Sequence, residues 1–152
     1  MFYLATCFDW GKGVEQNRSQ AFEWYLRAAK AGHADAHYSV GVFYASGELG
    51  PIDERAKVLW YRKAALKGII DAQRDLGYSY FYGEGIRRDP KKAIFWYRKA
   101  ARQGDAMANY NLGLCYLEGD GVVKSRRWAR HFLSKASDQG YRRAKRKLLD
   151  LF

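Results

Sequence analysis

With 152 residues, the chain has room for one compact domain or a short repeat rod, and its 48% apolar content is ample for a core. Twenty-seven basic against 16 acidic residues give a net charge of +11, concentrated so that any electrostatic partner should favour the C-terminal half. No run approaches the roughly 18 apolar residues of a membrane span.

Shifting the sequence by 36 residues superimposes Gly32, Gly68, Gly104 and Gly140, and equally Ala36, Ala72, Ala108 and Ala144, with no insertion or deletion. The period predicts a single repeat domain over 1–152, made of a truncated unit 1–32, three units 33–68, 69–104 and 105–140, and a capping helix 141–152. Each unit reads as two helices joined by a glycine turn.

The first unit starts in mid-motif. Met1 aligns with His37, so its first helix lacks an opening turn, and MFYLATCF, interrupted by Asp9 with no basic residue before it, does not read as a signal peptide. A leader removed from a longer parent stays open. The turn GKGVEQN ends on Asn17, an N-cap type, and Gln20 at N3 adds a capping-box residue. The second helix then carries Trp24 and the pair Ala28/Ala29 and stops at Gly32.

In the second unit, ADAHYSVGVFYAS places Ala36, Val40, Gly41 and Tyr44 on one helix face. Gly41 recurs as Gly77 and Gly113. A mid-helix glycine costs about 1 kcal/mol against alanine, so its repetition predicts close approach of a neighbouring helix. The turn GELGPID departs from pattern, with Leu49 where a glycine belongs and Gly50 one step late, and Lys57 stands where the other units have alanine. Asp53 is the expected N-cap, followed by Trp60 and Ala64/Ala65.

The third unit has the turn GEGIRRD, the N-cap Asp89, Pro90 at N1, Trp96 and Ala100/Ala101. The fourth has GDGVVKS, Ser125, Phe132 and Ala136/Ser137, and in YRRAKRKLLDLF a further first helix puts Leu149 in place of the repeated glycine, as suits a terminal cap. Trp24, Trp60, Trp96 and Phe132 share one phase beside small alanines and are read as packing residues. Net charge climbs along the units as +1, +1, +4 and +5. Cys7 and Cys115 hold the same position three units apart, beyond disulfide reach, and two free thiols fit a reducing, cytoplasmic setting.

This pattern, best seen in LGYSYFYGEGIRRDPKKAIFWYRKAARQG, resembles the Sel1-like repeat family, relatives of the tetratricopeptide repeats. Leu76, Gly77, Tyr80, Gly83, Gly85, Asp89, Ala93, Trp96, Tyr97, Ala100, Ala101 and Gly104 carry the resemblance. It implies an all-α fold, an α/α solenoid of antiparallel helix pairs forming a right-handed superhelix whose inner surface binds proteins or peptides. Members act as adaptors in signalling and protein quality control, and in bacteria as host-interaction and immunity proteins. A cysteine-rich branch is associated with β-lactam hydrolysis, but its paired cysteines are missing here.

By analogy with tetratricopeptide repeats, first-helix positions beside the packing face line the groove. They are Phe2 and Thr6; Asp35, Tyr38 and Val42; Asp71, Arg74, Tyr78 and Phe81; Met107, Tyr110, Leu114 and Leu117. Unlike the packing residues they vary between units, and aromatics and arginine are the types that most often dominate binding. Tyr38, Val42, Arg74, Tyr78, Phe81, Tyr110 and Leu114 are the candidate partner-binding set. His33 and His37, four apart, have no evident third metal ligand and read as solvated; Asp71 and Asp75 likewise read as a solvated face. No phosphate loop, H-E-x-x-H or S-x-x-K occurs, so no enzyme, cofactor or metal is expected. The competing reading is nucleic-acid binding through Arg87/Arg88, Lys91/Lys92 and the basic run from Arg142 to Lys147.

Overall fold

The computed structural model describes residues 1–151. Among them are nine α-helices and no strand: α1 (Phe2–Trp10), α2 (Arg18–Lys30), α3 (Ala34–Ser46), α4 (Glu54–Leu66), α5 (Ile70–Tyr82), α6 (Pro90–Arg102), α7 (Ala106–Glu118), α8 (Arg126–Asp138) and α9 (Arg142–Leu151). Backbone contacts group the chain into two compact units, 1–72 and 73–152.

Every hairpin is closed by the same local chemistry. Asn17, Asp53, Asp89 and Ser125 cap α2, α4, α6 and α8, each side chain accepting a backbone N–H from the first helical turn. The capping box expected of Gln20 is superseded, because the Asn17 N–H it would serve already donates to Phe8 O at 2.9 Å. The three other cap residues do the same: Asp53 to Tyr44 O, Asp89 to Tyr80 O and Ser125 to Tyr116 O. After each second helix the recurring glycine takes a left-handed conformation, φ 92° at Gly32 and 96° at Gly104, and completes a Schellman motif. Its N–H donates to the residue three back, and the next N–H reaches Ala28, Ala64, Ala100 or Ala136. Thus the alanine pairs also present the carbonyls that stop the helix.

In the unit 1–72, Ala5, Ala21, Tyr25, Ala28, Ala29, Ala36, Val40 and Phe43 form one buried cluster, with Phe2, Phe8, Phe22, Trp24 and Tyr44 packed around it. Burying each larger apolar side chain is worth about 1.5–3 kcal/mol. The irregular turn after α3 is accommodated locally: Ser46 Oγ donates to Phe43 O and accepts from Glu48 N–H, and Gly50, not Leu49, takes the positive φ. Lys57 is buried where the alanines stand in other repeats. Its ammonium pairs with Glu54, one turn earlier on α4, while the stem fills the site.

The repeated mid-helix glycines receive a ring or its replacement from the partner helix. A Cβ on Gly41 would lie 2.6 Å from Tyr61 Cδ1, one on Gly77 2.7 Å from Tyr97 Cδ1, and one on Gly113 2.7 Å from Leu133 Cγ. The predicted close approach is therefore made by the residue after the tryptophan phase. Tyr25, Tyr61, Tyr97 and Leu133 are all buried, whereas Trp24, Trp60 and Phe132 are half-buried and only Trp96 is covered. The tryptophans turn one face to a cation a turn later: Arg27 over Trp24 at 4.7 Å, Lys63 over Trp60 at 4.2 Å and Lys99 over Trp96 at 5.2 Å.

One buried polar position also recurs. His37 is 7% exposed, contrary to the solvated histidine expected, because it sits on the packing stripe; its Nδ1 lies 2.7 Å from His33 O and its ring meets the edge of Trp60. The same position in the unit 73–152 holds Gln73 and Asn109. Gln103 Nε2 donates to Gln73 Oε1, and Asn109 Nδ2 donates to Gln139 Oε1. Cys7 and Cys115 are both buried and free.

Candidate functional site

In the unit 73–152 the first helices α5 and α7, with the start of α9, carry a contiguous aromatic surface. Tyr78 and Tyr82, one helical turn apart on α5, have ring centroids 4.4 Å apart, and Phe81 meets Tyr82 edge-on at 5.0 Å. On α7, Tyr110 packs against Tyr141 at 5.1 Å, and Tyr82 is close enough to act on its phenol. Tyr78, Tyr82 and Met107 are exposed, while Tyr110 and Tyr141 are half-buried. Phe81, Tyr82, Tyr97, Asn111, Leu114 and Cys115 line a small cleft beside these rings.

Of the positions singled out by sequence, Tyr78, Phe81, Tyr110 and Leu114 thus join one surface. Tyr38 and Val42 occupy the corresponding face of α3 in the unit 1–72; both are half-buried, and Tyr38 stacks on Tyr61 at 5.3 Å. Arg74 is differently placed. Its side chain is 17% exposed, donating from Nε to Asp75 at 2.8 Å and from Nη1 to Asp105 at 3.1 Å. Asp105 also caps α7 through Ala108 N–H, so Arg74 ties α5 to the start of α7. Asp75, read as solvated, is one arm of this clamp.

Tyr82 and Tyr141 were not singled out by sequence. Tyr82 follows Tyr78 by four residues, a spacing that signals a shared face; Tyr141 precedes α9 and joins Tyr110 only through tertiary packing.

Burial pushes the Tyr110 hydroxyl above its ordinary value, neighbouring Tyr141 adds to this, and the Arg143 guanidinium opposes it. Burial likewise pushes the Cys115 thiol up to about 12, which leaves almost no thiolate at neutral pH. What the surface offers is aromatic area with hydroxyl donors and acceptors. Among the described residues no group of three or more His, Cys, Asp or Glu could hold a metal, and no helix is long and apolar enough to cross a membrane.

A second feature lies on α8. Arg127, Arg130, His131, Ser134, Lys135 and Asp138 share one open face, beside Trp128, which is 49% exposed. The rings of Trp128 and His131 meet edge-on at 5.5 Å.

Helix pairs capped and stopped identically every 36 residues define a tandem α-hairpin repeat protein. The Sel1 repeat model matches residues 1–33, 34–69, 70–105 and 106–141, and the chain belongs to the Sel1 repeat family. Such repeats generally serve as protein-interaction scaffolds. A Sel1 repeat protein from Oxalobacter formigenes is similar at TM-score 0.94 and 35% identity over 97% of this chain and 59% of that one. A protective antigen present in uropathogenic Escherichia coli strains, displaying an SLR fold, is similar at 0.87 and 39% over 91% of this chain and 30% of that one. The chain therefore spans less than two thirds of either structure. An immunity protein from Pseudomonas aeruginosa, at TM-score 0.60 and 23% identity over 94% of this chain and 53% of that one, shares the fold. Comparison with curated proteins finds no match.

Proposed function

We propose that the protein is a non-catalytic interaction module that holds a segment of a partner protein against its first-helix faces. The observation that carries this reading is the tyrosine surface of exposed Tyr78 and Tyr82 and half-buried Tyr110, with Phe81 and Leu114 in the cleft beside Tyr82. Tyr38 and Val42 hold the equivalent positions in the unit 1–72 and belong to the same role. Arg74 contributes by fixing the spacing of α5 and α7. Tyrosines give large contact area with little side-chain entropy to lose. The adaptor and immunity roles known in the family fit this use of the surface.

The test is capture of partners from a native lysate by the intact chain and by Tyr78→Ala and Tyr82→Ala. Both side chains are exposed, so the variants should melt like the parent while retaining at most about a tenth of the captured partner. Undiminished capture by both would sink the assignment.

A second reading, nucleic-acid binding, is favoured specifically by the cationic face of α8 and its exposed Trp128. Its signature is affinity for single-stranded oligonucleotide that falls steeply with salt, through counterion release. Binding that is absent at low salt, or indifferent to salt, eliminates it.

A further inference from the structure

The tyrosine surface has a polarity of charge that narrows what can lie on it. Along α5 and α7 the one cation, Arg74, is already engaged by Asp75 and Asp105, and the other charges there are the acidic Asp71 and Glu118. Helix α9 is the opposite, with Arg142, Arg143, Lys145, Arg146 and Lys147 against Asp150 alone. In the 36-residue register Arg143 stands where α7 has Met107, and Arg146 where α7 has Tyr110, so the face that is aromatic on α7 becomes cationic on α9. The two parts are physically joined. Tyr110, Tyr141 and Leu148 pack on the cluster of Leu133, Ala136 and Ala144, and Arg143 is near enough to act on the Tyr110 hydroxyl. Arg143 and Arg146 are both exposed.

We propose that this face takes an extended segment of a partner protein in which an apolar or aromatic stretch, lying on Tyr78, Tyr82 and Tyr110, is followed by carboxylate side chains that meet Arg143 and Arg146. The proposal rests on the reading that the tyrosine surface is the binding face. Arginine forks match carboxylates bidentately, and side chains on one face of an extended strand recur about every 6–7 Å, within reach of two arginines spaced three apart on a helix. A nucleic-acid strand fits this face poorly. It carries a phosphate at every nucleotide, and those lying over α5 and α7 would meet the carboxylate of Glu118 and cations already engaged, Arg74 by Asp75 and Asp105 and Arg88 by Asp120.

The experiment pans a random dodecapeptide display library on the intact chain and measures the selected peptides by fluorescence anisotropy. The variants are Tyr82→Ala and the double charge reversal Arg143→Glu/Arg146→Glu, with circular dichroism and the urea midpoint confirming the fold. Selected peptides should carry Asp or Glu to one side of an apolar or aromatic stretch, and the double reversal should weaken them at least about tenfold. Peptides without carboxylates, or affinity lost in Tyr82→Ala but kept in the double reversal, overturn the acidic partner and leave the tyrosine face standing. Affinity kept in Tyr82→Ala overturns the tyrosine face, and the inference with it. A library that yields no binder counts against both. Displacement of the peptide by oligothymidylate, abolished by the same reversal, would instead assign these arginines to nucleic acid.

Discussion

The units 1–72 and 73–152 share one interior plan and differ sharply in surface. Each buries a tyrosine of a second helix on the mid-helix glycine of a first helix, Tyr61 on Gly41 and Tyr97 on Gly77, and each ends its second helices with the same Schellman glycine. Yet the first carries nine basic against eight acidic residues and the second 18 against eight, a net +1 against +10. The matching first-helix positions differ too: Tyr78 is exposed where its counterpart Val42 is half-buried, while the exposed aromatics of the first unit, Tyr3 and Trp10, lie on α1 at phases other than that of Tyr78. The interior positions that set the frame leave first-helix faces and outer charges free to diverge, so specificity is to be sought in what differs between repeats.

The largest effect expected bears on the shared interior. Tyr61→Ala and Tyr97→Ala each delete a buried ring and should each cost about 3–5 kcal/mol in urea unfolding. If the two losses differ by more than about 2 kcal/mol, the common plan is not energetically common.

A smaller loss is expected where the units part. Arg74→Ala leaves Asp105, whose side chain is only 11% exposed, without its cation, and should cost about 1–3 kcal/mol by the same measurement. Arg143→Ala, exposed on α9, should leave the urea midpoint unchanged.

The pH dependence sharpens the role of Tyr97. Burial raises its hydroxyl far above the ordinary 10.0. The unfolded chain therefore loses this proton first, so its contribution to stability is full below about pH 10 and falls as pH rises above it, by about 1.4 kcal/mol per pH unit. Tyr97→Phe should remove one proton's worth of that alkaline slope. Burial raises Tyr25 in the other unit as well, so Tyr25→Phe should shallow the slope in the same direction.

A modest loss is expected from a device common to both units. Ser125→Ala removes the acceptor for Trp128 N–H and should cost about 1 kcal/mol, and Asn17→Ala about as much.

Much of this frame was legible because it is local and repeated. The four N-caps, the stopping glycines and the demand for a close neighbour at Gly41, Gly77 and Gly113 all follow from residue type at fixed phase. What was not legible depends on tertiary geometry. Two adjacent aromatics, Trp96 and Tyr97, are equally apolar in sequence, and only the angle of packing decides that Tyr97 covers Gly77. Arg74 resembles a surface arginine until Asp105, 31 residues later, is brought to it. Likewise Tyr141 enters the candidate surface only because α9 packs beside α7.

The bond from each cap residue to the carbonyl nine positions earlier has an implication for how such a chain can be altered. Asn17 to Phe8, Asp53 to Tyr44, Asp89 to Tyr80 and Ser125 to Tyr116 are loops of constant size, kept even where Leu49 and Gly50 disturb the turn. A residue added or removed inside one of these loops would change the ring that this bond closes and leave the cap residue's N–H and the facing carbonyl to find new partners. These turns, though at the surface, are poor sites for insertions. Exchange of whole 36-residue cassettes preserves every such loop, which makes swapping repeats, not lengthening them, the natural route to a new binding face.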